Sequence, residues 1–504
     1  MSSTRALSAL DLAFFVLETR ERMSNVGPLA ILKLPPRTRN SRAFADRLMR
    51  AMLAEPAAAP FDMVYRAPGL QGLPRLETAA DVEVRAHCHR HTLEGDGANE
   101  ALFAFVCRLH EKRLDRSRPH WELHVIDGLA GGRIALYLKV HHGVLDGRGL
   151  VEMFRGWFTD DMADRQVRAP WNVLPQRARR GAKPLDAAAL VSRVNAAGRS
   201  LLALYGALAR QAAASAGVAK GLPLPFLGTP SALRAKPSVR RSFAYCVLPL
   251  ARLKAFGKAH GATVNDVLLT VLDMALNRYL RAHGKRHGSG PLVADMPVAL
   301  GDGSDGGNQI AILQFKLGAP DVSPLERLAE VLQRTEELKA HVRRSDPSAL
   351  VTYTAAVHGI PALLETLRVP KAPMLATAVI SNPFGLPEKR YLGGAELEMA
   401  LPVSVLAPGQ SLNITAATYA DGLQIAFLGL ESELPHIQQL ADQSVAAFEE
   451  LALSATAPAT GRKRTPSRTK PSTEPASEAS KPRRAAAKAV ASSPIRKSSN
   501  RRPA

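Results

Sequence analysis

Two histidines, an aspartate and three glycines crowd into Val140-His141-His142-Gly143-Val144-Leu145-Asp146-Gly147-Arg148-Gly149. Imidazole exchanges protons near neutral pH, so a cluster of this kind suits general base catalysis. The segment before it, Arg133 to Val140, places Ile134, Leu136, Leu138 and Val140 on one strand face by period two; His142 extends that stripe and His141 points the other way. A histidine ending a core-facing stripe is partly desolvated and held neutral near pH 7, as a base must be. Asp146, one turn later, can orient the loop or the ring, and Gly143 and Gly147 permit a tight bend and close approach of backbone or ligand. The same residues can also form a satisfied loop without chemistry, and taken alone they leave both readings open.

Metal competes for the same side chains, but adjacent histidines at a strand end point to opposite faces and do not readily chelate one ion. In His87-Cys88-His89-Arg90-His91 three histidines share a face at period two, yet no carboxylate lies within the run, which reads as a solvated or sheet-packed face and not as a zinc site. No metal is expected. Gly301-Asp302-Gly303-Ser304-Asp305-Gly306 has GxGxxG spacing, but Asn308 to Leu317 after it reads as a strand where a dinucleotide loop needs a helix. Neither a phosphate loop nor a GxSxG elbow occurs. A base without an evident nucleophile fits direct transfer, in which the acceptor's own hydroxyl, thiol or amine attacks the donor.

The elements that must position this base make an α/β (α+β layered) chain. Ser8 is placed to cap a short helix over Leu7 to Leu17, with Asp11 in its first turn. Strands are expected at about 27–34, 82–91, 121–126 and 133–140, with a helix over 99–114. One long helix, Leu185 to Ala219, lies between Pro184 and Pro223. Beyond it come strands at 242–248, 292–298, 310–317, 376–380, 396–399, 412–419 and 423–430, and helices over 263–283, 324–343 and 434–453. The division is a first lobe at 1–160 carrying the histidine motif, a helical connection at 161–235, a second lobe at 236–454, and a tail at 455–504.

The chain has 504 residues, 46% of them hydrophobic, and a net charge of +21. Such a charge suggests polyanions, but thirteen cations against Glu474 and Glu478 put +11 of it in residues 455–504. That segment has too few large apolar residues to offset its ordering entropy and reads as a disordered basic tail, either a polyanion-binding arm or a solubilising appendage. Cys88, Cys107 and Cys246 are odd in number and widely spaced, which fits a reducing cytosol and no disulfide framework. No secretory leader and no apolar stretch of about 20 residues is evident.

His141-His142-Gly143-Val144-Leu145-Asp146-Gly147 matches HHxxxDG, and its flanks sharpen the match. Leu7-Ser8-Ala9-Leu10-Asp11, Asn25-Val26-Gly27-Pro28, Leu114-Asp115-Arg116-Ser117-Arg118-Pro119-His120-Trp121-Glu122, Ala262-Thr263-Val264-Asn265-Asp266-Val267 and Ser381-Asn382-Pro383-Phe384-Gly385 follow in order along the chain. Together they resemble the bacterial wax ester synthase/diacylglycerol acyltransferase family of the CoA-dependent acyltransferase superfamily.

The resemblance implies a two-lobed, chloramphenicol-acetyltransferase-like fold. It implies transfer of a fatty acyl group from acyl-CoA to diacylglycerol or a long-chain alcohol, giving triacylglycerol or wax ester with no cofactor besides the acyl-CoA co-substrate. His142 would be the base, with His141 and Asp146 beside it. Gly143, Gly147, Pro119, Trp121, Ser381 and Asn382 would shape the site, and Asn265 and Asp266 would contact substrate or position the lobe interface. His120 stands where the family has leucine, and 381–385 departs from the family's SNVPGP; both bear on acceptor choice. A lipidic acceptor implies a cytoplasmic protein attached peripherally to the inner membrane or lipid bodies, with tail 455–504 as a further polyanion contact. The alternatives are an acyltransferase with an amine or secondary alcohol acceptor, and a non-catalytic lipid-body or polyanion-binding protein.

Overall fold

A computed structural model describes residues 4–67, 74–174, 233–236, 238–285, 290–300, 310–369 and 374–456. The helix expected at 185–219, the glycine run at 301–306 and nearly all of the tail lie outside the described residues. The first half runs β1 (Thr4–Ala6), α1 (Ala9–Val16), β2 (Asn25–Lys33), α2 (Ser41–Leu53), β3 (Met63–Arg66), β4 (Arg75–Thr78), β5 (Cys88–Thr92), α3 (Asn99–His110), β6 (Trp121–Leu129), β7 (Arg133–His141) and α4 (Gly147–Trp157). The second runs β8 (Arg241–Pro249), α5 (Leu250–Ala259), α6 (Val264–Ala282), β9 (Val293–Ala299), β10 (Ile310–Lys316), α7 (Pro324–Arg344), α8 (Pro347–Thr366), β11 (Ala378–Leu386), β12 (Tyr391–Leu392), β13 (Ala395–Val403), β14 (Leu412–Tyr419), β15 (Gly422–Leu430) and α9 (Gln438–Thr456).

Local sequence starts the helices where they start. Ser8 and Asp11 close a reciprocal capping box on α1, as do Thr263 and Asp266 on α6 and Ser323 and Glu326 on α7. Two six-stranded sheets form, in the orders β12-β13-β2-β7-β6-β5 and β10-β9-β11-β14-β15-β8. The stripe Ile134, Leu136, Leu138 and Val140 packs in one core with Phe44, Leu48 and Met52 of α2. Helix α6 is buried over most of its length and fills the core of the second half.

One strand ties the halves together. β13 comes from the second half of the chain, yet it pairs antiparallel with β2, Glu396 opposite Lys33 and Val403 opposite Gly27. The Tyr419 hydroxyl donates to the Leu397 carbonyl at 2.6 Å, and the Gln424 side-chain oxygen accepts the Ala400 N–H at 2.8 Å. A third core, with Leu29, Ile31, Leu401 and Val403 against Phe103, Phe243 and Leu428, fills the junction. The strand expected from residue 82 begins only at Cys88, because Val84–His87 winds into a 3-10 turn in which the Ala86 N–H donates to the Glu83 carbonyl.

Candidate active site

Between the two sheets lies a cavity of about 690 Å³. Helices α1 and α4 and strand β2 wall it from the first half, and α8 with strands β9 to β11, β13 and β14 from the second. Leu10, Phe14, Leu150, Ile312, Val379 and Leu401 make much of its lining apolar, as is usual for small-molecule pockets.

His142 lines this cavity and His141 does not. Strand β7 ends at His141, so His142 is the first residue of a turn, and its direction is set there and not by strand alternation. The His142 N–H donates to the Ser24 carbonyl at 2.8 Å, and its half-buried ring stacks on Phe14 with centroids 4.1 Å apart. Burial pulls the imidazole below its ordinary pKa; the charges of Asp146 and Asp11 and contact with its own backbone carbonyl act the other way. His141 packs backwards, stacked on Phe15 at 4.0 Å, and its Nδ1 accepts the Gly143 N–H at 3.1 Å. Its Nε2 is 3.9 Å from Glu18, a buried carboxylate that also pairs with Arg113 and Arg116. Burial, followed by the neighbouring His120 and His142, drives the pKa of His141 well down.

Asp146 caps α4: its Oδ1 accepts the Gly149 N–H at 2.7 Å. Gly147 follows it as the first helical residue and faces the cavity. Gly143 is needed for space, since a Cβ there would lie 2.6 Å from the Phe15 ring and 2.8 Å from the Asp11 carbonyl oxygen. Ser381 and Asn382 also line the cavity, at the point where the β11–β14 register shifts.

Other expected site residues stand elsewhere. Trp121 is core: its Nε1–H donates to the Phe61 carbonyl at 2.8 Å and its ring stacks on Trp171 and His87. Pro119 is buried beside it, its carbonyl accepting the Trp121 N–H. The Asp266 carboxylate accepts the Thr263 N–H and hydroxyl, and neither Asp266 nor Asn265 lines the cavity. His120 is also absent from the lining; it is fully buried behind His141, its pKa pulled down to about 4 chiefly by desolvation. In the histidine run, His87 stacks on Trp121, while His89 and His91 meet His124 of β6. Among the described residues, no three histidines, cysteines or acids are placed to hold a metal ion.

Among the cavity residues that sequence reasoning missed are Phe14 and His358. Phe14 falls within the predicted first helix, where an aromatic reads as core. His358 had no signal at all, being a lone histidine 216 positions from His142.

Residues 7–268 match the model of the wax ester synthase/diacylglycerol acyltransferase catalytic domain, and residues 306–452 match that family's C-terminal domain. The chain belongs to this family. A Mycobacterium tuberculosis protein bearing the name diacylglycerol O-acyltransferase Tgs4 is 31% identical over 485 residues, covering 91% of this chain and 99% of its own length. The solved wax ester synthase/diacylglycerol acyltransferase of Marinobacter aquaeolei VT8 is 26% identical with a TM-score of 0.67, over 90% of this chain and all of that one. The first condensation domain of the CDA synthetase shares the fold at 18% identity and a TM-score of 0.53, over 89% of this chain and 96% of that one. The family's two-lobed acyltransferase architecture is therefore the fold of this chain.

Proposed function

We infer that this acyltransferase moves a fatty acyl group from acyl-CoA to the hydroxyl of diacylglycerol or a long-chain alcohol, with His142 as the general base. The observation that carries the reading is His142 itself, a desolvated imidazole on the wall of an apolar cavity between the lobes. Desolvation keeps the ring neutral, so at pH 7 it takes the proton of the acceptor hydroxyl as that oxygen attacks the thioester carbonyl. The tetrahedral intermediate collapses, the C–S bond breaks, and the imidazolium returns the proton to the CoA thiolate. The products are ester and CoA, and acyl-CoA is the only co-substrate required.

His141 holds the turn through the Gly143 N–H, and Asp146 fixes the start of α4; both are positioning residues in this account. Gly147 and Ser381–Asn382 shape the cavity wall. No covalent intermediate on cysteine is invoked, because desolvation pushes Cys88, Cys107 and Cys246 up to about 12 and none lines the cavity. No helix among the described residues is long and apolar enough to cross a membrane. Contact with lipid is accordingly proposed as peripheral, at the inner membrane or a lipid body, with tail 455–504 adding charge for anionic headgroups.

The test is CoA release from palmitoyl-CoA by the purified protein with hexadecanol, dioleoylglycerol, a long-chain amine or a secondary alcohol in parallel, followed by identification of the lipid formed. Wax ester or triacylglycerol is expected. Release only with an amine or secondary alcohol would move the acceptor assignment, and release with none would overturn the reading.

A further inference from the structure

Helix α8 is apolar almost all round: of its 20 residues, Pro347–Thr366, only Glu365 carries a fixed charge. Its inner side is accounted for, since Tyr353 and Val357 are core and Thr354, His358 and Ala362 wall the cavity. Its outer side is not. Ile360, Leu363 and Leu367, spaced by three and four and so aligned in one stripe, are 47%, 54% and 65% exposed, and Val369 just beyond them is 41% exposed. A helix with one side on a core normally turns polar residues outward, and a helix apolar on both sides needs a second apolar neighbour.

The end of this stripe is joined to the end of α1. The Arg22 guanidinium donates to the Leu17 carbonyl at 2.7 Å and pairs with Glu365 at 2.8 Å, and Val16, next to Leu17, is exposed as well. Charge at this junction is basic. Arg20, Arg22 and Arg368 stand against Glu21 and Glu365, each acid is paired with an arginine, and the buried Glu18 is taken by Arg113 and Arg116. The exposed side chains are all aliphatic, without the aromatic and methionine residues enriched in protein–protein interfaces. Aliphatic side chains edged by arginines suit the boundary between acyl chains and anionic headgroups. The cavity opens on the same helix, because Ala355, with a side chain of one carbon, is both exposed and part of its wall.

We propose that Ile360, Leu363, Leu367 and Val369, flanked by Arg20 and Arg368, are the face through which the enzyme seats itself in a lipid surface bearing anionic headgroups. This rests on the acyl-transfer reading, in which the acceptor is a lipid, and deepens it by naming the surface from which that acceptor is reached. The basic tail supplies long-range attraction, whereas the stripe enters the acyl layer and sets the cavity opening against it.

The experiment uses the full chain and vesicles of phosphatidylcholine with phosphatidylglycerol, without acyl-CoA. In Leu367→Trp the added indole should be quenched by phosphatidylcholine brominated on its acyl chains, while the native Trp121, Trp157 and Trp171 are fully buried and stay unquenched. Met162→Trp is the control, because Met162 is 65% exposed but sits in the chain among Asp160, Asp161 and Asp164, which an anionic surface repels. Its indole should stay unquenched on the same vesicles. The double variant Leu363→Gln/Leu367→Gln should bind vesicles about tenfold or more weakly in high salt, where the tail is screened, as expected for two half-exposed leucines. Neither leucine lines the cavity, so its CoA release with a detergent-dispersed acceptor should match wild type. Vesicle-bound Leu367→Trp quenched no more than Met162→Trp would overturn the proposal, as would equal high-salt binding by the double variant and wild type, or no binding by wild type. A wild-type dimer that the double variant dissociates, with no quenching on vesicles, would overturn it by giving the stripe to a second copy of the chain. Absence of CoA release by wild type would defeat the acyl-transfer reading separately, since quenching and vesicle binding are read without turnover.

Discussion

Gly143→Ala tests whether the histidine turn is held by packing. The new Cβ would meet Phe15 Cε2 at 2.6 Å and the Asp11 carbonyl oxygen at 2.8 Å, short of ordinary contact at 3.4 Å by up to about 0.8 Å. Phe15 has little room to yield, being stacked on Tyr65 at 4.3 Å and on His141 at 4.0 Å. Asp11 Oδ2 and its N–H are engaged in the α1 capping box, so the helix backbone is fixed as well. The turn must therefore shift by the better part of an ångström and carry His142 with it. A displacement of about 1 Å costs on the order of a hundredfold in rate, and overpacking costs about 1–3 kcal/mol of stability. We expect kcat for CoA release to fall about 10- to 100-fold, with a melting temperature a few degrees lower. Gly290→Ala, where nothing lies within 4 Å of the added carbon, serves as the control. A Gly143→Ala protein that turns over and melts like wild type would refute the packing argument.

Three further outcomes follow from the same geometry. Because desolvation lowers the pKa of His142, the neutral base persists as pH falls through 6.5, and kcat/KM should decline only below that value; a decline beginning above pH 7 would contradict the assignment. His120 is buried with both ring nitrogens unpartnered and its pKa held at about 4, so between about pH 6.5 and 4 the unfolded chain binds the extra proton and stability is lost as the pH is lowered. His120→Leu should then stabilise the protein on the order of 1 kcal/mol near neutrality and by more at pH 5, measured by urea unfolding; a destabilised variant would show that the imidazole has a partner. Iodoacetamide at pH 7.5 should leave CoA release unchanged, since the three thiols are pushed up to about 12; stoichiometric inactivation would point to a cysteine in the reaction.

Local signals reached the elements that carry their own boundaries. The alternation before His141 gave β7, and Ser8 with Asp11 gave the start of α1, because caps and period-two stripes act within a few residues. The pairing of β13 with β2 was not legible, since nothing near residue 400 says that its partner lies near residue 30. The same holds for the second wall of the cavity: His358 and Asp295 meet only after β9 and α8 pack together. Family motifs mixed two kinds of residue. His142, Gly147, Ser381 and Asn382 face the cavity, whereas Trp121 and Asp266 are matched because the fold needs them, one as core and one as a cap.

The most direct test of the account is the rate of CoA release and of lipid product formation by His142→Ala beside wild type, at saturating palmitoyl-CoA and dioleoylglycerol. Loss of the base should lower both on the order of a hundredfold or more, with the fold intact by melting temperature. Equal turnover by the two proteins would remove His142 from the mechanism.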